Sequence, residues 1–126
     1  MPKQVHRIEG VKPSPVLSHV VEANGFVFVA GTVGDDPETG TVKAGGFEAE
    51  CRQMLDNVGR LLRAVGLDYV DVVRSTVYLV DFANRDAYNR IYREYFSVDP
   101  PARATVQAGL TAPYTIEIEC TAARHA

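Results

Sequence analysis

Polar side chains alternate with apolar ones in two segments near the C-terminus, which is the pattern of β-strands with two unlike faces. Arg103 and Thr105 share one face of the first segment. Glu117 and Glu119 share one face of the second, whose alternate positions are apolar and must face the core. If the two strands are neighbours in the sheet, the arginine and the carboxylates lie together on the face opposite the core.

This grouping is compatible with two kinds of chemistry. An arginine opposite a glutamate on an exposed sheet face forms a cross-strand ion pair that contributes about 0.2–1 kcal/mol to stability. Alternatively, a fixed guanidinium binds a small carboxylate through two parallel hydrogen bonds, while a neighbouring carboxylate orients a water molecule. The spacing of Arg103 and Glu117 alone does not choose between a structural pair and a catalytic one.

The elements that must position these residues include a hairpin and a long helix. Asn24-Gly25 separates two apolar segments and is typical of a type I′ turn. The second arm, 26–29, is apolar on both faces, which predicts a central strand covered on both sides. Apolar residues recur with a period of 3.6 over 47–65, which predicts a helix, and Gly66 follows as its stop signal.

The rest of the chain adds a strand rich in β-branched residues, a second helix and the two strands that each have one polar face. Either Asp81 or Asn84 can cap the second helix, whose predicted apolar side consists of Tyr88, Ile91, Tyr92, Tyr95 and Phe96. The last two strands are predicted at 102–108 and 115–123. The short hairpin and the mixed order of strands and helices predict a single α+β domain over residues 1–126, with both helices on one face of a mixed sheet.

Composition and charge argue against several classes of function. The chain has 13 Lys and Arg against 16 Asp and Glu, a net charge of −3, so it lacks the positive field that favours nucleic acid as a partner. Its longest strongly apolar run, 26–30, is far too short to span a membrane. No signal-peptide pattern opens the chain, and Cys51 and Cys120 lack metal-ligand spacing. We therefore expect a cytoplasmic protein with reduced thiols and no bound metal.

Five motifs add a more specific indication. They are FVAG at 28–31, DPETG at 36–40, NRIYREYF at 89–96, PARATV at 101–106 and YTIEIE at 114–119. Together with the long helix, they resemble in type and order the motifs of the RidA family, also called YjgF or L-PSP. The resemblance extends from about Ser14 to Ala123, which is nearly the whole chain.

The resemblance implies a chorismate-mutase-like α+β protomer that forms a homotrimer with three clefts between subunits. It also implies hydrolysis of reactive 2-imino acids, of the 2-iminobutanoate and 2-iminopropanoate type, to 2-keto acids and ammonia without a cofactor. By position, Arg103 matches the family arginine that binds the substrate carboxylate, and Glu117 the glutamate that positions the attacking water. Thr105 stands where many members have cysteine, and Gly31 matches the glycine beside the pocket.

Two positions depart from the family pattern. Leu17 stands where deaminase members have a tyrosine that lines the pocket, and Ala30 replaces a common serine. Both changes remove a hydroxyl group from the implied pocket, where His19 is a candidate replacement polar group. The departures leave two alternatives open. One is a noncatalytic regulatory trimer that binds small carboxylates through Arg103, and the other is ribonuclease or translation-inhibitor activity, against which the acidic balance counts.

Overall fold

A computed structural model describes residues 2–125 as a six-stranded mixed sheet with two α-helices. The strands are β1 (Gln4–His6), β2 (Val20–Ala23), β3 (Phe26–Val33), β4 (Val72–Leu79), β5 (Ala102–Gln107) and β6 (Ile116–Ala123), and the helices are α1 (Phe47–Ala64) and α2 (Arg85–Tyr95). The predicted α+β class with a mixed sheet is confirmed. Within the described residues, neither helix combines the length and the apolar character that crossing a bilayer requires.

Helix α1 and the hairpin form close to where the sequence predicts them. The helix buries one apolar stripe that includes Met54, Val58 and Leu62. It ends one residue before the predicted Val65, and Gly66 follows with a φ of 82°, a conformation that favours glycine because it has no Cβ. In the hairpin, Asn24 and Gly25 have φ angles of 54° and 82°, as a type I′ turn requires.

Both helices pack on one face of the sheet, as predicted. Ile116 and Ile118 of β6 lie fully buried on that face. On the other face, Phe26 and Phe28 of β3 are 45% and 44% exposed. The prediction that this strand is covered on both sides is therefore wrong for a single chain: β3 is central, but no helix reaches its second face.

The strand order separates the two polar-faced strands. The sheet runs β1-β2-β3-β6-β4-β5, with β4 and β5 parallel and all other neighbours antiparallel. Helix α2 connects β4 to β5, as a parallel pair requires, and β5 lies on the outer edge of β4. Strand β6 then pairs with the opposite edge of β4. The premise that the strands carrying Arg103 and Glu117 are neighbours is wrong, because β4 lies between them.

Two buried polar side chains of α1 connect the helix to the loops around the sheet. Glu50 is only 4% exposed, and its carboxylate accepts hydrogen bonds from the backbone N and Oγ1 of Thr115, at 2.8 and 2.6 Å. The Asn57 amide donates to the backbone oxygens of Val33 and Asp35, at 3.0 and 2.9 Å. These bonds satisfy polar atoms that would otherwise be costly to bury and fix the loops after β3 and before β6.

We expect Gly34→Ala to lower the free energy of unfolding by about 1–3 kcal/mol, because the new methyl group overpacks a tight contact. A Cβ at Gly34 would overlap the carbonyl oxygen of Glu50 and lie 2.9 Å from its Cγ. Gly109→Ala is the matched control, since a Cβ there meets no atom within 4 Å. Urea denaturation of both variants measures the difference, and equal midpoints would contradict the expected clash.

Candidate functional site

Arg103 lies on the helix-covered side of the sheet, at the edge strand. In the parallel pairing of β4 and β5, Arg103 is opposite the buried Ser75, so the two side chains point to the same face. The Arg103 Cζ lies 4.9 Å from the ring centroid of Tyr88 and 4.7 Å from that of Tyr92, both on α2. Cation–π attraction of this kind stabilises a guanidinium by about 0.5–2 kcal/mol and restricts where it can move.

The two tyrosine rings are themselves held in place. The Tyr92 and Ser75 hydroxyls are hydrogen-bonded at 2.7 Å, and the Tyr88 and Thr105 hydroxyls at 2.9 Å. Both rings are buried, and burial raises the pKa of Tyr88 to about 12, so its hydroxyl stays neutral at physiological pH. Thr105 therefore lies beside Arg103, as the predicted site requires, with its hydroxyl directed to the ring that supports the arginine.

Arg103 also differs from several other arginines, which are paired with a carboxylate. Arg52, Arg90 and Arg124 each form a salt bridge with a glutamate, at 2.8, 2.8 and 2.6 Å. Within residues 2–125, Arg103 forms no salt bridge. Its exposed guanidinium contributes to the lining of a groove of 580 Å³. A fixed cation without an internal counterion can bind an anion from solution without first breaking an ion pair.

Glu117 lies on the opposite, helix-free face. It pairs across the sheet with Tyr78, whose hydroxyl donates to Glu119 at 2.7 Å. Glu117 is half-buried, and this burial, together with the nearby charge of Glu119, raises the pKa of its carboxyl group above the ordinary value of 4.5. A carboxylate with a raised pKa is a stronger base than an exposed one, which suits it to taking a proton from water.

Gly31 lies directly against this carboxylate. The pairing of β3 with β6 is irregular between Val29 and Thr32, and Gly31 is within that irregularity. A Cβ at position 31 would overlap Oε2 of Glu117 and lie 3.2 Å from its Cδ. A larger residue here would require the Glu117 carboxylate to move, so glycine permits its present position. The structure therefore brings together two of the residues that the sequence predicted for the site.

The structure does not bring Arg103 and Glu117 together within one chain. Val77 of β4 points to the same face as Thr105 and Ile118, on the helix side, whereas Tyr78 and Glu117 point away from the helices. The prediction that the arginine and the carboxylates share a face is wrong, because the pairing of β5 with β4 places Arg103 opposite Ser75, on the helix-covered face. A single chain therefore cannot present both groups to one small ligand.

The departures from the family pattern lie near Gly31. The backbone N of Ala30 donates to the backbone O of His19 at 2.9 Å, and His19 and Gly31 line one cavity of 180 Å³. The His19 ring is also hydrogen-bonded to the backbone O of Lys12, at 3.1 Å. Leu17 is 50% exposed and lines an adjoining, smaller cleft of the N-terminal segment, to which His19 also contributes. His19 is thus one of several polar side chains in the cavity beside Gly31.

The tyrosine support of Arg103 is the feature that the sequence analysis missed. Tyr88 and Tyr92 were predicted only as part of the apolar side of α2. Their hydroxyl groups were the available signal, because a tyrosine in a core needs a polar partner that phenylalanine does not. Among residues 2–125, no group of three His, Cys, Asp or Glu side chains is arranged to hold a metal ion.

Comparison with known proteins adds independent information. Residues 8–124 match the family described as endoribonuclease L-PSP. Over 106 residues the chain is 42% identical to Reactive Intermediate Deaminase A, chloroplastic, of Arabidopsis thaliana, covering 83% of this chain but only 57% of the relative, less than two thirds of its length. It is 39% identical to the 2-iminobutanoate/2-iminopropanoate deaminase of Homo sapiens, covering 83% of this chain and 77% of the relative.

Solved structures agree with these sequence matches. The crystal structure of RidA from an Antarctic Psychrobacter superimposes with a TM-score of 0.88 at 28% identity, covering 96% of this chain and 99% of that one. The YjgF gene product of E. coli gives a TM-score of 0.82 at 31% identity, covering 88% and 90%. The architecture of the described residues is therefore that of the RidA and YjgF structures.

Proposed function

The chain belongs to the endoribonuclease L-PSP family, the family of RidA and YjgF, and from that premise we propose that it hydrolyses reactive 2-imino acids to 2-keto acids and ammonia. Relatives at 35–42% identity are named as deaminases of this kind. The observation that carries the proposal is Arg103, a cation held over two tyrosine rings with no carboxylate partner among residues 2–125. Such a group suits the carboxylate that every 2-imino acid carries.

The proposed reaction needs only water and proton transfers. Arg103 binds the substrate carboxylate and fixes the imine carbon. Glu117 accepts a proton from a water molecule while the water oxygen bonds to that carbon, and the imine nitrogen takes a proton. The C–N bond of the resulting carbinolamine breaks as its hydroxyl proton is transferred to the nitrogen, which leaves as ammonia while the C=O bond of the keto acid forms. Glu117 releases the proton that it accepted, which balances the proton that the imine nitrogen took up. General-base catalysis of the first step contributes about 10²–10⁴-fold.

We propose that the site forms between two copies of the chain in a homotrimer. Arg103 and Glu117 lie on opposite faces of the sheet, so one ligand can reach both groups only if they come from different copies. The helix-free face also carries exposed apolar side chains, including Phe28 of β3 and Val106 of β5, that a neighbouring copy would cover. This arrangement agrees with the clefts between subunits that the family resemblance implies.

Complementation between two inactive variants tests both the residues and the arrangement. We expect Arg103→Ala and Glu117→Gln to be inactive alone, whereas trimers containing both chains recover about one third of wild-type activity, because each has one intact site of three. The variants are co-expressed with different tags, and trimers carrying both tags are purified. Activity is measured as the loss of semicarbazide-trapped 2-iminobutanoate, made from threonine by a PLP-dependent dehydratase.

The control is each variant alone, expressed with both tags and purified in the same way. Activity of the mixed trimers no higher than that of the controls would contradict a site shared between copies. Sedimentation of the wild-type chain as a monomer at micromolar concentration would contradict the trimer itself.

A second candidate function is noncatalytic binding of a small carboxylate. Leu17 and Ala30 favour it, because neither supplies the hydroxyl group that deaminase members have at these positions. Saturable binding of 2-oxobutanoate in calorimetry without any loss of trapped imine would identify this function. Ribonuclease activity has less support, since the net charge of −3 provides no broad positive field for RNA.

A further inference from the structure

The groove next to Arg103 is larger than a four-carbon substrate needs. It has a volume of 580 Å³ and runs between the exposed edge of α2 and the loop that leads into β5. A cavity of this size is within the range of about 300–1,000 Å³ that is typical of small-molecule sites. If Arg103 holds the carboxylate of a 2-imino acid, the remaining volume is available to the substrate side chain.

Charged and polar groups line the part of the groove that α2 forms. Asn89, Arg90 and Arg93 follow one another along the same edge of the helix, and all three contribute to the lining. The guanidinium of Arg90 is already bound to Glu48 at 2.8 Å. Arg93 is exposed and forms no salt bridge with any residue in 2–125. The groove therefore contains a second cation, besides Arg103, that is available to a ligand.

The position of Asp86 indicates where a second anion would bind. Asp86 also lines the groove, but it is seven residues before Arg93, which corresponds to about 10 Å along the helix axis. An anion near Asp86 would be repelled, whereas one near Arg93 would meet the guanidinium beside the apolar walls of Phe96 and Pro101. Low polarity around an ion pair strengthens its attraction.

We propose that the site accepts 2-imino acids that carry a second carboxylate, with Arg93 binding that distal group while Arg103 binds the first. This inference rests on the proposed function and specifies its substrate class. The reaction is unchanged, because the distal carboxylate takes no part in the hydrolysis of the imine bond. Reactions that oxidise the amino group of acidic amino acids would supply such substrates.

Binding of stable keto acids tests the proposal without depending on turnover. Calorimetry of the full chain compares 2-oxoglutarate with 2-oxopentanoate, which has the same number of carbons but no second carboxylate. We expect 2-oxoglutarate to bind about tenfold more tightly, as one additional charge-assisted hydrogen-bonded pair provides. We expect Arg93→Gln to abolish this preference and to leave the dissociation constant of 2-oxopentanoate unchanged.

Arg85→Gln is the matched control, because it makes the same change on the same helix. Arg85 lies over the Phe82 ring and does not line the groove, so the preference for 2-oxoglutarate should persist.

Equal affinities for the two ligands, or a preference that survives Arg93→Gln, would overturn the inference while the Arg103 site stands. Tighter binding of phenylpyruvate than of 2-oxoglutarate would also overturn it, by identifying an apolar groove. If neither keto acid binds, or if Arg103→Ala leaves binding unchanged, the proposed function itself fails.

Discussion

Arg103→Ala is expected to lower kcat/KM for 2-iminobutanoate hydrolysis by about 10²–10⁴-fold, since two charge-assisted hydrogen bonds of about 1.5–3 kcal/mol each are lost. Arg103 forms no salt bridge among residues 2–125, so its removal deprives no carboxylate in that range of a partner. The loss should therefore appear in catalysis rather than in folding. The measurement is the rate at which trapped imine disappears over a range of enzyme concentrations.

Two further variants distinguish lost binding from lost structure. Arg103→Lys keeps the charge but lacks the planar fork of the guanidinium, and should recover only part of the activity. Arg63→Ala is the matched control, because Arg63 also lies over a tyrosine ring, 5.9 Å from the centroid of Tyr69, at the far end of α1. Wild-type kinetics for Arg103→Ala, or an equal loss in Arg63→Ala, would contradict the assigned role.

Glu117→Gln is expected to lower kcat by about 10²–10⁴-fold, because an amide of nearly the same shape cannot accept a proton from water. The wild-type rate should fall as the pH is lowered through the pKa of Glu117, since only the carboxylate is a base. Burial raises that pKa, so the fall should begin at a higher pH than an exposed glutamate would give. The pH profile of kcat/KM measures this acidic limb, which the variant should lack.

The effect of Glu117 on stability has the opposite sign to its effect on activity. A carboxyl group whose pKa is raised on folding favours the protonated folded state, so its contribution to stability is present at low pH and is lost as the pH rises through the folded pKa. At pH 7 the carboxylate is therefore a cost, and Glu117→Gln should be no less stable than the wild type. A lower urea midpoint at pH 7 would indicate that the activity was lost through misfolding.

Glu119→Gln is the matched control for the loss of a carboxylate on the same face. Glu119 raises the pKa of Glu117 through its charge, so the variant should keep its activity and shift the acidic limb to lower pH. It should also weaken the contact with the Tyr78 hydroxyl, which donates to Glu119 in the wild type. An activity loss in Glu119→Gln as large as that of Glu117→Gln would contradict the assignment of Glu117, rather than Glu119, as the base.

Much of the local structure follows from the sequence. The apolar stripe of α1, its end shortly before Gly66 and the Asn24-Gly25 turn are set by residues close together in the chain, where periodicity and turn geometry act directly. The assignment of the chain to its family, and with it Arg103 as a candidate, also came from short motifs. These features depend on residues that are near one another in the chain, so they can be predicted from a single sequence.

The juxtaposition of the site residues depends on the tertiary structure. Alternation along a strand shows which side chains share one of its faces, but not which strand lies beside it, and strand pairing joins residues far apart in the chain. Here β6 pairs between β3 and β4, which brings Glu117 against Gly31 and leaves Arg103 on the other face, above Tyr88 and Tyr92. The sequence thus identified Arg103 and Glu117 as the candidates for the proposed chemistry. The strand order placed them on opposite faces of the sheet, so under the proposed function two copies of the chain must meet for both groups to reach one ligand.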